Sequence, residues 1–343
     1  MPRLRADVEL PTTERGFATG LLVAIAAAVG RAAPGTHIAF TTQDPVDDDL
    51  GRWSRFTGNA IVGTTREAGG WRYVVRVGAV DEEHGERPIG SRLWLYTNFD
   101  CNLACDYCCV RSSPSSERRP LGLERVQRIA REAAELEVAD LFVTGGEPFL
   151  LEDIGPILEA CAAAATTTVL TNGMLFHGRR RAALEALPRD RLVLQVSLDS
   201  PEPSLHDQRR GRGSWAKAVR GIAVARELGF RVRVAATIAS EEEALALDAY
   251  FAREAIAPED RVVRRIALRG FASDGVALAR ADLRPEPTIT AAGVYWHPVG
   301  AADADFFLTA DALPLARAFE TVRLVWEEEQ RFATSLASIF RCA

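Results

Sequence analysis

Leu95-Tyr-Thr-Asn-Phe-Asp-Cys101-Asn-Leu-Ala-Cys105-Asp-Tyr-Cys108-Cys109 carries three cysteines at C-x3-C-x2-C spacing, directly after the strand-like run Arg92–Tyr96. Three thiolates within eight residues can each take one iron of a [4Fe–4S] cluster, leaving the fourth iron without a protein ligand. An iron with an open position can bind a substrate or a cofactor. A structural zinc site would need a fourth ligand and usually two separated C-x2-C pairs. The nearest histidines, His84 and His177, are not at finger spacing, and Cys109 is awkwardly adjacent to Cys108. A disulfide framework is disfavoured as well, because the 343 residues hold only six cysteines and four crowd this loop.

Outward from that loop the chain alternates strand and helix. Strands are expected at Arg92–Tyr96, Asp140–Val143, Thr167–Leu170, Arg191–Leu198, Phe230–Ile238 and Arg261–Leu268. Leu123, Val126, Ile129, Ala133 and Leu136 mark one helical stripe; Trp215, Val219, Ile222 and Ala225 mark another. Ser240-x-x-Glu243 reads as a capping box opening a third helix. Six strands with intervening helices make a parallel α/β unit, either open and doubly wound or a partial barrel. The cysteine loop, Thr144-Gly145-Gly146-Glu147-Pro148, Thr171-Asn172-Gly173 and Ser197-Leu198-Asp199-Ser200 each follow a successive strand. They therefore share the carboxyl end of the sheet, where barrel active sites form.

Two glycines after a strand let backbone groups come close to a ligand. Alone, Gly-Gly-Glu-Pro is a tight strand-to-helix turn. Together with C-x3-C-x2-C some forty residues upstream, it resembles the signature of the radical S-adenosylmethionine (radical SAM) superfamily. The resemblance covers roughly residues 90–275. It implies a six-stranded partial (β/α)6 TIM-like barrel, laterally open, with a [4Fe–4S] cluster and S-adenosyl-L-methionine (SAM) as cofactors. In that family SAM binds the open iron, and one electron cleaves it to a 5′-deoxyadenosyl radical that abstracts a substrate hydrogen.

Carried over by position, the resemblance implies Cys101, Cys105 and Cys108 as ligands and Tyr107 near the adenine. Gly145, Gly146 and Glu147 would receive the methionine amino group. Ser197 and Arg210 would contact the SAM carboxylate, with Asp199 toward the ribose. Without the resemblance, His206-Asp207-Gln-Arg-Arg210-Gly211 is a turn followed by a solvated arginine run. A planar arginine fork nevertheless suits a carboxylate.

The flanks are separate pieces. Residues 1–80 read as strand, helix, strand, helix and hairpin. The first helix covers about 15–33, and Gly69-Gly70 turns the hairpin. This α/β domain is similar to a sulfur-carrier (TusA-like) two-layer domain. The family's Cys-Pro motif is missing, with Ala18-Thr19 in its place, so docking of a protein partner is expected there instead of persulfide relay. Residues 81–91 are a polar linker, and 92–275 form the barrel. Residues 276–343 form a hairpin-plus-helix extension. Its hairpin, Thr288 to Pro298, resembles the SPASM or twitch extension of radical SAM maturases. Trp296-His297 stands where those carry a cluster cysteine, and Cys342 is the sole cysteine past Cys161, so no auxiliary cluster is expected. Leu315, Phe319, Val322 and Trp326 share one face of a closing helix over about 314–335.

Cys161 falls with Ile154, Ile157 and Leu158 on one helical face and reads as buried and inert. The role of Cys109 is left open by the sequence, packing behind the cluster loop being one option. Cys342 is read as an inert thiol, a hydrogen donor to a substrate radical or, with His297, a metal ligand. A formal net charge of −6 gives no basic footprint for nucleic acid. The longest apolar stretch, Phe17 to Val29, is too short to span a bilayer, so no membrane association is expected. Free thiols holding a cluster point to the cytoplasm.

The reading is a radical SAM enzyme abstracting hydrogen from a small metabolite or peptide, in sulfur-related or natural-product biosynthesis. A one-electron donor such as flavodoxin or ferredoxin is implied. The alternatives are a peptide- or sugar-modifying maturase and, outside enzymes, a SAM-binding iron–sulfur redox or sensor protein.

Overall fold

Leu93 and Leu95 alternate with Trp94 and Tyr96, and both leucines are fully buried in the helix-covered core. Period-two alternation of this kind recurs in each strand that follows, which is why the chain builds a sheet with two distinct faces. The computed structural model describes residues 5–11, 21–29, 31–33, 35–57, 59–67, 69–77 and 87–339. Two compact units emerge, residues 1–87 and 88–343.

The first unit holds β1 (Val8–Glu9), α1 (Leu21–Val29), β2 (His37–Thr42), α2 (Asp47–Thr57), β3 (Ala60–Glu67) and β4 (Gly70–Arg76). The sheet order is β1-β2-β4-β3, with β1 parallel to β2 and the other pairs antiparallel. Leu21, Ile25, Phe40, Leu50, Tyr73 and Val75 form its core. Gly70 closes the hairpin at φ 133°, where a Cβ would stand 2.0 Å from the Thr42 carbonyl oxygen. Ala18 and Thr19 lie outside the described residues.

The second unit runs β5 (Arg92–Tyr96), α3 (Leu123–Glu135), β6 (Asp140–Thr144), α4 (Ile154–Ala164), β7 (Thr166–Thr171), α5 (Gly178–Ala186) and β8 (Leu192–Ser197). It continues with α6 (Pro203–Arg210), α7 (Ser214–Glu227), β9 (Arg231–Ile238), α8 (Glu241–Arg253) and β10 (Arg261–Arg265). The chain closes with β11 (Thr288–Thr290), β12 (Gly293–Tyr295), β13 (Phe307–Thr309) and α9 (Leu315–Ile339). The sheet order is β10-β9-β8-β7-β6-β5-β11-β12-β13. Strands β5 to β10 are mutually parallel, as strands joined by helical crossovers must be. β10 and β5 do not pair, so the sheet is a partial (β/α)6 barrel open on one side.

Register fixes what faces the lumen. Trp94, Phe142, Thr168 and Val193 are successive partners, as are Leu170, Gln195 and Arg233. Higher up, Ser197, Ala235 and Val262 are partners, then Thr237 and Arg264. The opposite face buries Val143, Val169, Leu194, Val196 and Val234 under the helices.

Some expectations need adjustment. Leu136 ends the predicted stripe but is 41% exposed, because α3 stops at Glu135. The Ser240 hydroxyl caps α8 by accepting from the Glu243 N–H, whereas the Glu243 carboxylate reaches Ala239 N–H and Arg209. The hairpin of β11 and β12 joins the barrel sheet itself, with β11 parallel to β5. In α9, Leu315 and Val322 are fully buried, as their stripe required.

Candidate active site

The carboxyl ends of β5, β6 and β7 are tied together by one buried carboxylate and one buried amide. Glu147 has no exposed surface. It accepts from Phe149 N–H (3.0 Å), Thr171 Oγ1–H (2.8 Å) and Asn172 N–H (2.8 Å). Burial, partly offset by these donors, pushes its carboxyl above the usual range. Asn98, also fully buried, donates through Nδ2 to Asp100 O (2.9 Å), Asp100 Oδ1 (2.8 Å) and Glu147 O (3.1 Å). The Gly146 and Glu147 N–H groups donate back to Asn98 O and Asp100 O, both at 3.0 Å. A Cβ on Gly145 would lie 2.4 Å from Asn98 Oδ1, and one on Gly146 2.1 Å from Asp100 O. The glycines are thus required by close approach of the cysteine loop, a purely steric reason for the Gly-Gly pair.

Within the loop, Cys101 is buried while Cys105 and Cys108 are half-buried. Leu103 N–H points at Cys101 Sγ (3.4 Å) and Ser112 N–H at Cys108 Sγ (3.3 Å). Burial pushes the Cys101 thiol up to about 12, helped by the nearby Glu147 charge, and the Cys105 thiol up to about 11. These thiols would ionise only with a cation to hold. Among the described residues no three His, Cys, Asp or Glu side chains converge closely enough to hold one metal ion. Ligands of a [4Fe–4S] cluster bind separate irons and need no such convergence, and their thiolates are stabilised by backbone N–H donors. The donor set fits a cluster and not a single zinc. Cys109 packs behind the loop against Tyr96, Phe99, Val110 and Ala301, and burial pushes its thiol up to about 12. Cys161 is fully buried among apolar neighbours.

Tyr107, Asp199 and Arg210 are brought together at the same end. Asp199, with no exposed surface, accepts from Arg210 Nε (2.6 Å) and Nη2 (3.2 Å), Thr237 N–H (3.1 Å) and the Tyr107 hydroxyl. Burial alone would raise the Asp199 carboxyl, but the Arg210 charge and these donors outweigh it and hold it below the usual range. The Arg210 guanidinium also sits 5.6 Å from the centre of the Tyr107 ring. Nη1 of Arg210 and the hydroxyl of Ser197, at the end of β8, have no hydrogen bond among the described residues. The arginines before Gly211 are not a solvated run: Arg209 forms a bidentate pair with Glu243 (2.8 and 2.7 Å). Asp207 holds the following turn by accepting from Gly213 and Trp215 N–H.

Several site residues escaped sequence reading. Arg269 is nearly buried and pairs with Asp303 (2.8 Å) and Asp305 (2.9 Å) of the extension, while Arg111 reaches Asp303 from the cysteine loop (3.0 Å). Gly270 lies against the Cys108 carbonyl oxygen, and Phe271 N–H donates to it (3.0 Å). The extension and the segment after β10 therefore brace the loop from outside. An isolated Arg-Gly-Phe after a strand gives no hint of this. Asn98 was more legible, being a polar residue between the apolar strand and the cysteines. Cys342 lies outside the described residues.

Residues 95–240 match the profile of the radical SAM superfamily. The chain is 35% identical over 165 residues to a GTP 3′,8-cyclase of Synechococcus sp. (strain WH7803), covering 42% of this chain and 46% of that protein. It is 30% identical over 178 residues to the antilisterial bacteriocin subtilosin biosynthesis protein AlbA of Bacillus subtilis (strain 168), covering 49% and 39%. It thus spans less than half the length of these relatives. Among solved structures, Streptococcus suis SuiB bound to S-adenosylmethionine aligns over 57% of this chain and 45% of its own, with TM-score 0.48 and 22% identity. Among the described residues no helix is long and apolar enough to cross a membrane.

Proposed function

We propose, from the premise that residues 95–240 form a radical SAM domain, that this protein is a radical SAM enzyme acting on a small metabolite or peptide. The observation that carries the reading is the knitting of the C-x3-C-x2-C loop, through Asn98 and Glu147, into the carboxyl end of an open parallel barrel. With a [4Fe–4S] cluster and SAM bound, the chemistry supplied is one-electron cleavage of the sulfonium to methionine and a 5′-deoxyadenosyl radical that takes a substrate hydrogen.

The chain's own residues then bind, orient and exclude water. Cys101, Cys105 and Cys108 hold three irons. The backbone of the Gly145-Gly146-Glu147 turn receives the methionine ammonium. The Glu147 carboxylate, with three donors of its own, keeps that turn in place. Ser197 and Arg210 Nη1, neither with a hydrogen bond among the described residues, receive the methionine carboxylate. Asp199 fixes the Arg210 fork and Tyr107 beside the nucleoside, so the site is preorganised before the ligand arrives.

A donor such as flavodoxin or ferredoxin would supply the electron in the cytoplasm. The N-terminal unit would dock a partner protein. Peptide modification is the second reading, favoured by the unclosed side of the sheet, which admits a large substrate, and by the similarity to a bacteriocin biosynthesis protein. Anaerobic reconstitution with SAM and dithionite tests the enzyme reading. 5′-Deoxyadenosine is expected even without substrate; none would leave an iron–sulfur sensor.

A further inference from the structure

Arg264 remains unused once the cofactor machinery is assigned. It sits near the end of β10, the terminal strand of the parallel set, and its register partner is Thr237. Val234, Ala236 and Ile238 of β9 face the helix-covered core, so Thr237 and its partner Arg264 face the lumen, and the Thr237 N–H bond to Asp199 sets them level with the Asp199–Arg210–Tyr107 cluster. The neighbouring arginines at this end are committed: Arg209 to Glu243, Arg210 to Asp199, Arg269 to Asp303 and Asp305. Arg264 is exposed and has no hydrogen bond or ion pair among the described residues.

Groups in electrostatic reach of Arg264 across the unclosed side include Tyr96 of β5 and His297 of the extension. Burial raises the Tyr96 hydroxyl and lowers His297 to about 4, so both are neutral at physiological pH. His297 Nδ1 accepts from Val299 N–H (3.2 Å), so its proton sits on Nε2, which is left as a donor. The nearby carboxylate, Glu286, is taken up by Trp94 Nε1 and by Arg92 at 3.6 Å. Deeper in the lumen, the side chains of Gln195 and Thr168, each 5% exposed, have no hydrogen bond among the described residues. The stacked rings of Trp94 and Phe142, 4.3 Å apart, lie level with Thr168.

An uncompensated guanidinium among neutral groups, at the mouth of a low-dielectric lumen, creates a positive potential that attracts an anion, and its planar fork matches two oxygens. We propose that Arg264 is a substrate-binding residue that pairs with an oxyanion, a carboxylate or a phosphate, of the molecule entering through the unclosed side of the barrel. This rests on the radical SAM reading and adds the substrate's charge to it. The rest of the substrate is polar, to satisfy Gln195 and Thr168.

The test is calorimetric titration of the reconstituted, SAM-saturated full chain with pyrophosphate, succinate and, as neutral control, butane-1,4-diol. At least one anion is expected to bind and the diol not to. Arg264→Gln should weaken that binding by roughly tenfold or more, and Arg264→Lys by less, as for a charge-assisted pair. Binding of pyrophosphate alone marks a phosphate substrate, of succinate alone a carboxylate, and of both an oxyanion site that accepts either. No anion binding to the wild type, or equal binding to Arg264→Gln, overturns the proposal. 5′-Deoxyadenosine from the wild-type samples without substrate reports on the radical SAM premise independently of anion binding.

Discussion

Replacing Asp199 by Asn isolates the fully buried charge that holds Arg210 and Tyr107. The carboxylate accepts four donors, two from Arg210, one from the Tyr107 hydroxyl and one from Thr237 N–H. Asn keeps one acceptor oxygen and turns an NH2 toward donors on the other side. Arg210, whose side chain is 10% exposed, keeps its charge but loses the counter-charge. Breaking a buried pair in this way costs about 3–5 kcal/mol. In urea, at a slope of ~2 kcal/mol/M for unfolding, a loss of ~4 kcal/mol lowers the midpoint by ~2 M. The measurement is made on the apo chain, so that ligand binding adds nothing to the stability. Arg210→Met removes the stranded charge, so the double variant should recover about 2 kcal/mol relative to the sum of the two single losses. A midpoint for Asp199→Asn close to wild type, or additive single losses, would refute the claim that this pair organises the site.

Alanine at Cys101, Cys105 or Cys108 should each abolish cluster assembly, read as iron content and visible absorbance after reconstitution, whereas Cys109→Ala and Cys161→Ala should retain it. Gly270→Ala forces a Cβ to 2.1 Å from the Cys108 carbonyl oxygen at φ 65°, so it should cost on the order of 2 kcal/mol. The same variant should bleach its cluster faster in air, and an unchanged lifetime would remove the bracing role of this segment. His206 and His297 are both lowered from 6.5 to about 4, first by burial. Each also accepts a backbone N–H at Nδ1. The unfolded chain therefore binds protons first as pH falls. Stability is full above pH 6.5 and is lost between 6.5 and about 4, by up to ~3 kcal/mol per histidine. Urea midpoints at pH 7 and pH 5 check this, and equal midpoints would contradict it.

The fold was readable because its signals are local. Alternation marked each barrel strand within a few residues of its observed ends, and strand-following motifs placed four loops at one end. Cys161 was legible from helical spacing alone. What stayed hidden depends on tertiary contacts between residues far apart in the chain. The Arg269–Asp303 pair joins residues whose sequence neighbourhoods carry no shared pattern. The Gly145-Gly146 pair was noticed as a ligand cradle, but its steric cause, the backbone of Asn98 and Asp100, appears only when β5 and β6 pair. Likewise the arginine run beside Gly211 looked solvent-facing until α8 supplied Glu243 and the end of β8 supplied Asp199. The capping function of Ser240 was legible, but the second role of Glu243 was not.

The central claim is that three thiolates of one loop hold a cluster whose fourth iron is free to take SAM. Electron paramagnetic resonance of the anaerobically reduced protein, recorded with and without SAM, tests it most directly. A [4Fe–4S]+ signal that changes shape and g-values on adding SAM is expected. A cluster signal indifferent to SAM, or one that survives unaltered in Cys105→Ala, would contradict it.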